Sequence, residues 1–102
     1  MAFIALEKLH QLYDGYRRRV RVAGGEWLLI QEEGKLFCIA NQCPHLGASL
    51  AEASVNSFRL RCLQHGMEFD LRTGRPLNTA TCVETLRFMP LVYEGNQVGV
   101  DL

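Results

Sequence analysis

The chain has 102 residues, 48% of them hydrophobic, and its 11 Lys and Arg residues balance 11 Asp and Glu residues to a formal net charge of zero. This length predicts a single domain, residues 1–102, and the neutral balance gives no electrostatic footprint for nucleic acid. No apolar run approaches the length of a membrane span, and the N-terminus lacks the features of a secretory signal. The sequence therefore predicts a cytoplasmic protein that binds neither membrane nor nucleic acid.

The elements predicted along the chain are strands. Short runs rich in β-branched and aromatic residues end at glycines, and other runs alternate polar and apolar side chains. These patterns predict strands over residues 16–22, 26–30, 35–40, 57–61, 67–71, 86–93 and 98–101. Glu94-Gly95-Asn96 has the composition of a hairpin turn between the last two strands. The sequence is typical of an all-β protein.

Two short motifs in mid-chain carry metal-binding chemistry. Cys43-Pro44-His45 and Cys62-Leu63-Gln64-His65 each supply one thiolate and one imidazole, and 16 residues separate His45 from Cys62. Two thiolates on one iron and two imidazoles on the other are the ligand set of a Rieske [2Fe–2S] centre. Gly47 and Gly66 follow the two motifs, which suits loops whose backbone amides approach cluster sulfurs closely.

The same four residues have two other uses in proteins. The four side chains could hold one tetrahedral zinc, although structural zinc sites usually take paired ligands at spacings of two to four residues. A disulfide suits the sequence less, because a chain without a secretory signal stays in a reducing compartment. An iron–sulfur centre is favoured, and a zinc-stabilised binding module remains the alternative.

Over nearly its whole length the chain resembles the Rieske ferredoxins that act as electron-carrier components of bacterial ring-hydroxylating dioxygenase systems. The motifs that carry the resemblance are Cys43-Pro44-His45-Leu46-Gly47, Cys62-Leu63-Gln64-His65-Gly66, Phe69-Asp70 with Arg72-Thr73-Gly74, and Cys82 to Pro90 leading into Gln97-Val98-Gly99-Val100-Asp101. The resemblance implies a Rieske fold: an antiparallel β-sandwich or barrel with a small cluster-binding subdomain, about residues 41–76, built from two ligand loops. It also implies one [2Fe–2S] cluster per chain, with Cys43 and Cys62 on the buried iron and His45 and His65 on the outer iron.

The resemblance bears on two further segments, and the local sequence on Cys38. Leu6, Leu9 and Leu12 have the spacing of a helical face, but the family favours a strand that enters a short turn there. Cys38 lies in a predicted apolar strand, so we expect it to be a buried packing residue. Cys82 falls where the family also has a cysteine, in a third loop near the cluster, and we expect it to pack and not to ligate.

The reduction potential is expected to be low. Respiratory and photosynthetic Rieske proteins carry disulfide cysteines where this chain has Ala48 and Gln64, a serine where it has Met67, and a tyrosine where it has Phe69. Fewer hydrogen bonds to the cluster leave its reduced, more negative state less stabilised. The potential should therefore lie at the low end of the Rieske range, about −150 mV.

The resemblance implies a one-electron carrier that is not an enzyme by itself. Its implied partners are an NAD(P)H-dependent flavoprotein ferredoxin reductase and a terminal oxygenase component, and we expect the carrier to be a monomer. The alternative is the small Rieske-type subunit of an assimilatory nitrite reductase. Because the net charge is zero, steering by charge should be weak. We therefore expect docking on a small, partly apolar patch at the cluster tip, formed by Pro44, Leu46, Gln64 and Met67.

Overall fold

The structure is a computed structural model that describes residues 2–43, 49–63, 66–77 and 84–102. In these ranges the strands are β1 (Phe3–Lys8), β2 (Arg17–Val22), β3 (Gly25–Glu32), β4 (Lys35–Ala40), β5 (Ser54–Asn56), β6 (Arg59–Arg61), β7 (Glu68–Asp70), β8 (Val92–Glu94) and β9 (Gln97–Asp101). A 3₁₀ turn over Leu9–Gln11 is the one helical element that this part of the chain contains. The all-β prediction is confirmed. Within the described ranges, no helix has the length and apolar character that crossing a bilayer requires.

The strands form three antiparallel sheets of three strands each, ordered β1-β9-β8, β2-β3-β4 and β5-β6-β7. The chain following the third loop runs beside β4, where Ala40 N donates to Arg87 O at 2.9 Å and Met89 N donates to Cys38 O at 2.9 Å. A single antiparallel bridge joins Ile39 to Phe88. The β5-β6-β7 sheet lies within the range 41–76 and connects directly to the second ligand motif.

The predicted strand 86–93 is not a regular ladder strand before Val92. It forms only the bridge at Phe88, and regular pairing starts at Val92. Pro90 lies between these two points and has no N–H to donate, so a continuous ladder cannot pass through it. The segment 6–12 behaves as the resemblance implied, because β1 ends at Lys8 and the 3₁₀ turn follows.

The predicted strand 57–61 is wrong at its first two residues. Ser57 and Phe58 have φ angles of 51° and 64°, and they form the two-residue turn that joins β5 to β6. Hairpin turns with positive φ at both central residues usually contain Asn or Gly, so local sequence does not indicate this one. Packing supports it: the Phe58 ring meets Phe37 edge-on at 6.1 Å, and the Arg72 guanidinium lies 5.0 Å from its centroid.

Two hydrophobic cores lie on opposite sides of β3. The larger core contains Leu28, Ile30, Ile39, Cys43, Leu50, Ala53, Leu60, Cys62, Phe69, Leu71 and Leu86. The smaller core contains Tyr16, Leu29 and Cys38. Successive residues of a strand point to opposite faces, so β3 is buried on both sides. Burial raises the pKa of the Cys38 thiol to about 11, which agrees with its predicted role as a packing residue.

Candidate metal centre

The two cysteines predicted as ligands both enter the larger core. Cys62 follows β6 directly and Cys43 comes three residues after β4, and each is 1% exposed. Two residues that lie 19 positions apart in the sequence therefore reach one buried region from two separate strand ends. His45 and His65 lie outside the described residues, so their assignment as ligands stays a prediction.

Backbone hydrogen bonds join Cys62 to the residues that follow the second ligand motif. Cys62 N donates to Met67 O at 2.8 Å, and Gly66 N donates to Cys62 O at 2.8 Å. Gly66 has a φ of 68°, a conformation that residues with a Cβ adopt rarely. The β6–β7 ladder continues from this closure, pairing Arg61 with Glu68. The position of Cys62 is therefore fixed at the end of the β6–β7 ladder.

The segment that follows the first ligand motif is held by a charged side chain from β2. The Arg17 guanidinium donates to the carbonyl of Ala51 at 3.0 Å and also to the carbonyl of Ala53. Its Nε is buried and has no hydrogen-bond partner in the part of the chain that the structure describes. The sequence predicted only that Arg17 lies in a strand, over residues 16–22. Nothing local could indicate this contact, because it joins residues 34 and 36 positions apart.

The Asp70–Gly74 motif turns the chain back after β7. Asp70 Oδ1 accepts from Arg72 N at 2.9 Å and from Arg72 Nε at 3.2 Å, and these contacts hold the pKa of Asp70 below its usual range. Gly74 has a φ of 82°, and a Cβ there would lie 2.8 Å from the Phe88 ring. The motif therefore has a structural role, bringing Gly74 against the chain beside β4.

The predicted docking patch is only partly represented. Pro44, Leu46 and Gln64 lie outside the described residues, and Met67 is partly buried against the larger core. Leu63, which was not predicted as part of the docking patch, directly follows Cys62, and its side chain is 63% exposed. Its position in the sequence could have predicted this exposure. An apolar residue between two predicted ligands of a short loop has little room to point towards the core.

Cys43 and Cys62, the two predicted ligands that the structure describes, fit an iron–sulfur centre. Burying two thiolates in an apolar region is costly unless a positive charge compensates them. Two ferric ions, two sulfides and two thiolates sum to zero formal charge when the other ligands are neutral imidazoles. Cys43 and Cys62 are buried together in apolar surroundings, which suit a neutral centre better than an isolated thiolate.

Comparisons with known proteins agree with this chemistry. A family model described as a Rieske [2Fe–2S] domain matches residues 2–90. The ferredoxin component of the naphthalene 1,2-dioxygenase system of Pseudomonas aeruginosa is 30% identical over 94 residues, which cover 92% of this chain and 89% of that relative. The solved ferredoxin of carbazole 1,9a-dioxygenase from Nocardioides aromaticivorans IC177 has a TM-score of 0.82 at 27% identity, covering 98% of this chain and 97% of that chain.

A second class of protein shares the fold. A putative small subunit of an NADPH nitrite reductase has a TM-score of 0.78 at 16% identity, covering 96% of each chain. The family match includes all four predicted ligands and confirms the predicted cofactor, a [2Fe–2S] cluster, which supplies one-electron redox chemistry when bound. The chain belongs to the Rieske [2Fe–2S] domain family, and within that family it is a Rieske-type ferredoxin.

Proposed function

We propose that this protein is a one-electron carrier that takes electrons from an NAD(P)H-dependent flavoprotein reductase and delivers them to a terminal Rieske non-haem iron oxygenase. The observation that carries the proposal is the joint burial of Cys43 and Cys62 in the larger core of a chain whose similarity to a dioxygenase ferredoxin extends over nearly its whole length. The carrier has no catalytic role of its own and turns over only as part of the oxygenase system.

The proposed ligands are Cys43 and Cys62 for the inner iron and His45 and His65 for the outer iron. Support comes from the burial of both thiols and from the exposure of Leu63 in the second loop. Cys62 is buried and Leu63 beside it is exposed, so the chain passes from the core to the surface at the start of the second ligand motif. Such a site keeps the inner iron dry and leaves the outer one near a partner.

The proposed docking surface combines Leu63 with the predicted Pro44, Leu46, Gln64 and Met67. Leu63→Glu should slow electron transfer to the oxygenase, because a charge in an apolar contact must be desolvated on docking. The visible spectrum of the cluster should not change. Tyr93→Glu is the control, since Tyr93 is similarly exposed but lies on β8, in another sheet. Equal transfer rates for both variants would contradict this surface.

The small subunit of an assimilatory nitrite reductase is the second candidate, supported by the shared fold alone. A carrier and a fixed subunit differ in how they associate. Purification from the native cell should give a carrier as a separate monomer that reduces an oxygenase component at a rate proportional to its concentration. A fixed subunit should stay in stoichiometric complex with a larger reductase through gel filtration. Rapid mixing of the reduced protein with the oxygenase component then tests the transfer step directly.

A further inference from the structure

We propose that Asn41 is a positioning residue for the cluster, because its side chain ties the two ends of the first ligand loop to each other and to β3. The inference rests on the proposed assignment of Cys43 as a ligand. Asn41 lies two residues before Cys43 and is held at four points, one from its main chain and three from its side chain.

Two of these contacts join Asn41 to Glu26. Asn41 N donates to Glu26 O at 3.0 Å, and Asn41 Nδ2 donates to Glu26 Oε1 at 2.5 Å. Glu26 is itself held from the other side, since it pairs with Arg21 in the β2–β3 ladder and its Oε2 lies 3.9 Å from the Arg21 guanidinium. The entrance to the loop is therefore fixed to β3 by a charge-assisted hydrogen bond.

The other two contacts join Asn41 to the exit of the loop. Asn41 Oδ1 accepts from Leu50 N at 2.7 Å and from Ser49 Oγ at 3.0 Å. Leu50 is fully buried in the larger core, together with Cys43. One amide group thus joins residue 41, two positions before Cys43, to residues 49 and 50, which follow the first ligand motif.

This position requires an amide. The side chain must donate to a carboxylate on one side and accept from a backbone N–H on the other. Aspartate accepts but cannot donate, and its charge would repel Glu26. An aliphatic residue can do neither, and would leave the buried Leu50 N–H without its acceptor.

A donor–acceptor exchange tests the proposal. In Asn41→Asp the contact with Glu26 becomes a pair of like charges, whereas in the double variant with Glu26→Gln the new amide donates to the new carboxylate. Glu26→Gln alone keeps an oxygen that accepts from Asn41. We expect N41D to lose its cluster about tenfold faster than the unmodified protein, and the other two variants to lose it at rates within about threefold of that protein.

The measurement is the decay of visible absorbance in excess chelator, with iron content per chain at purification and the EPR signal of the reduced cluster. Val100→Ala is the control for general destabilisation, since Val100 is buried in the β1-β9-β8 sheet. It should lower the thermal unfolding temperature while leaving the EPR signal in place, whereas N41D should shift that signal.

Three results would overturn the proposal: an N41D cluster as long-lived as that of the unmodified protein, a double variant no better than N41D, or equally fast loss in V100A. If N41D does not accumulate, the double variant decides, and it must accumulate with full iron content. Cys43→Ala, which removes the donor atom altogether, separates this proposal from the ligand assignment. Full iron in that variant would refute the assignment itself, whereas loss of iron there with no effect in N41D would refute only the positioning role.

Discussion

The Arg17 guanidinium donates a 3.0 Å hydrogen bond to the carbonyl of Ala51, and so joins β2 to the chain that returns from the first ligand loop. The same group also binds the carbonyl of Ala53, which belongs to the larger core. Ser49 Oγ accepts from Ala51 N at 3.2 Å and donates to Asn41, so the contacts of Arg17 and Asn41 meet at this segment. The first ligand loop is thus braced from β2 and from β3.

Replacing Arg17 by Met should destabilise the protein by about 1.5–3 kcal/mol, because two carbonyls lose a charged donor. The buried Nε that lacks a partner among the described residues keeps the expected loss near the lower bound. Urea unfolding of the cluster-containing protein measures the change. Arg19→Met is the matched control, since Arg19 is exposed on the same strand. Equal unfolding midpoints for the two variants would contradict the bracing role.

The contact between Tyr16 and Glu7 predicts a pH-dependent contribution to stability. The Tyr16 hydroxyl donates to Glu7 Oε2 at 2.6 Å, and this hydrogen bond is the main reason why the pKa of Glu7 lies below its usual value of 4.5. A lowered folded-state pKa gives stability that is present above the unfolded-state pKa and lost as pH falls through the folded-state pKa. Tyr16→Phe should cost about 1–2 kcal/mol at neutral pH, and the difference should narrow below pH 4.5.

The control for this variant is Tyr13→Phe, because Tyr13 is well exposed and its ring, which packs edge-on against Tyr16, is kept in the variant. Denaturant unfolding across the acid range measures both. At alkaline pH the Tyr16 hydroxyl itself titrates. Burial, and to a smaller extent the Glu7 carboxylate, raise the pKa of Tyr16 from 10.0 to about 12. The associated stability is present below pH 10.0 and is lost as pH rises towards 12. A Tyr16→Phe penalty independent of pH would contradict this linkage.

Gly99 permits the close approach of β1 and β9. A Cβ on Gly99 would lie 2.0 Å from the carbonyl oxygen of Ile4, so Gly99→Ala forces the strands apart where β1 already changes register. We expect a loss of at least about 1–3 kcal/mol, as for overpacked sites. Gly95→Asn is the control, because that turn has open space and a φ of 59° that Asn tolerates. An unfolding temperature of G99A that is no lower than that of G95N would contradict the close approach of the two strands.

The two cores should differ in their effect on the cluster. Leu60 and Leu29 are both fully buried, but Leu60 lies in the larger core with Cys43 and Cys62, and Leu29 lies in the smaller one. Either Leu→Ala change should cost about 2–5 kcal/mol through lost burial and a residual cavity. Only Leu60→Ala should also lower the iron content per chain. Iron analysis and urea unfolding of both variants test this, and equal iron contents would argue against a site in the larger core.

The sequence predicted the strands well where one face or both are buried, and less well where pairing depends on distant residues. β4 has the predicted bounds because its apolar run and the turn before it are local features. The turn at Ser57 and Phe58 was missed because its support comes from Phe37 and Arg72, which are far away in sequence. The predicted strand 86–93 was too long, because its apolar composition was given more weight than Pro90, which interrupts the ladder.

The same distinction holds for the candidate site. Residue type and spacing were sufficient to propose Cys43 and Cys62 as ligands, because one cysteine and one histidine in each of two short motifs make up the ligand set of a Rieske centre. The roles of Arg17 and Asn41 could not be inferred, since an arginine in a strand and an asparagine before a loop are unremarkable until their partners are known. Met67 was assigned to a docking surface from its position in the motif, although it packs partly against the larger core.

The most direct test of the central claim is an anaerobic redox titration at neutral pH, followed by the EPR signal of the reduced protein and by its iron content. A reversible uptake of one electron per two irons, with a potential of about −150 mV, is the predicted result. Protein that contains zinc and shows no signal on reduction would contradict the iron–sulfur assignment. A potential well above zero would contradict the role of a carrier loaded by a flavoprotein.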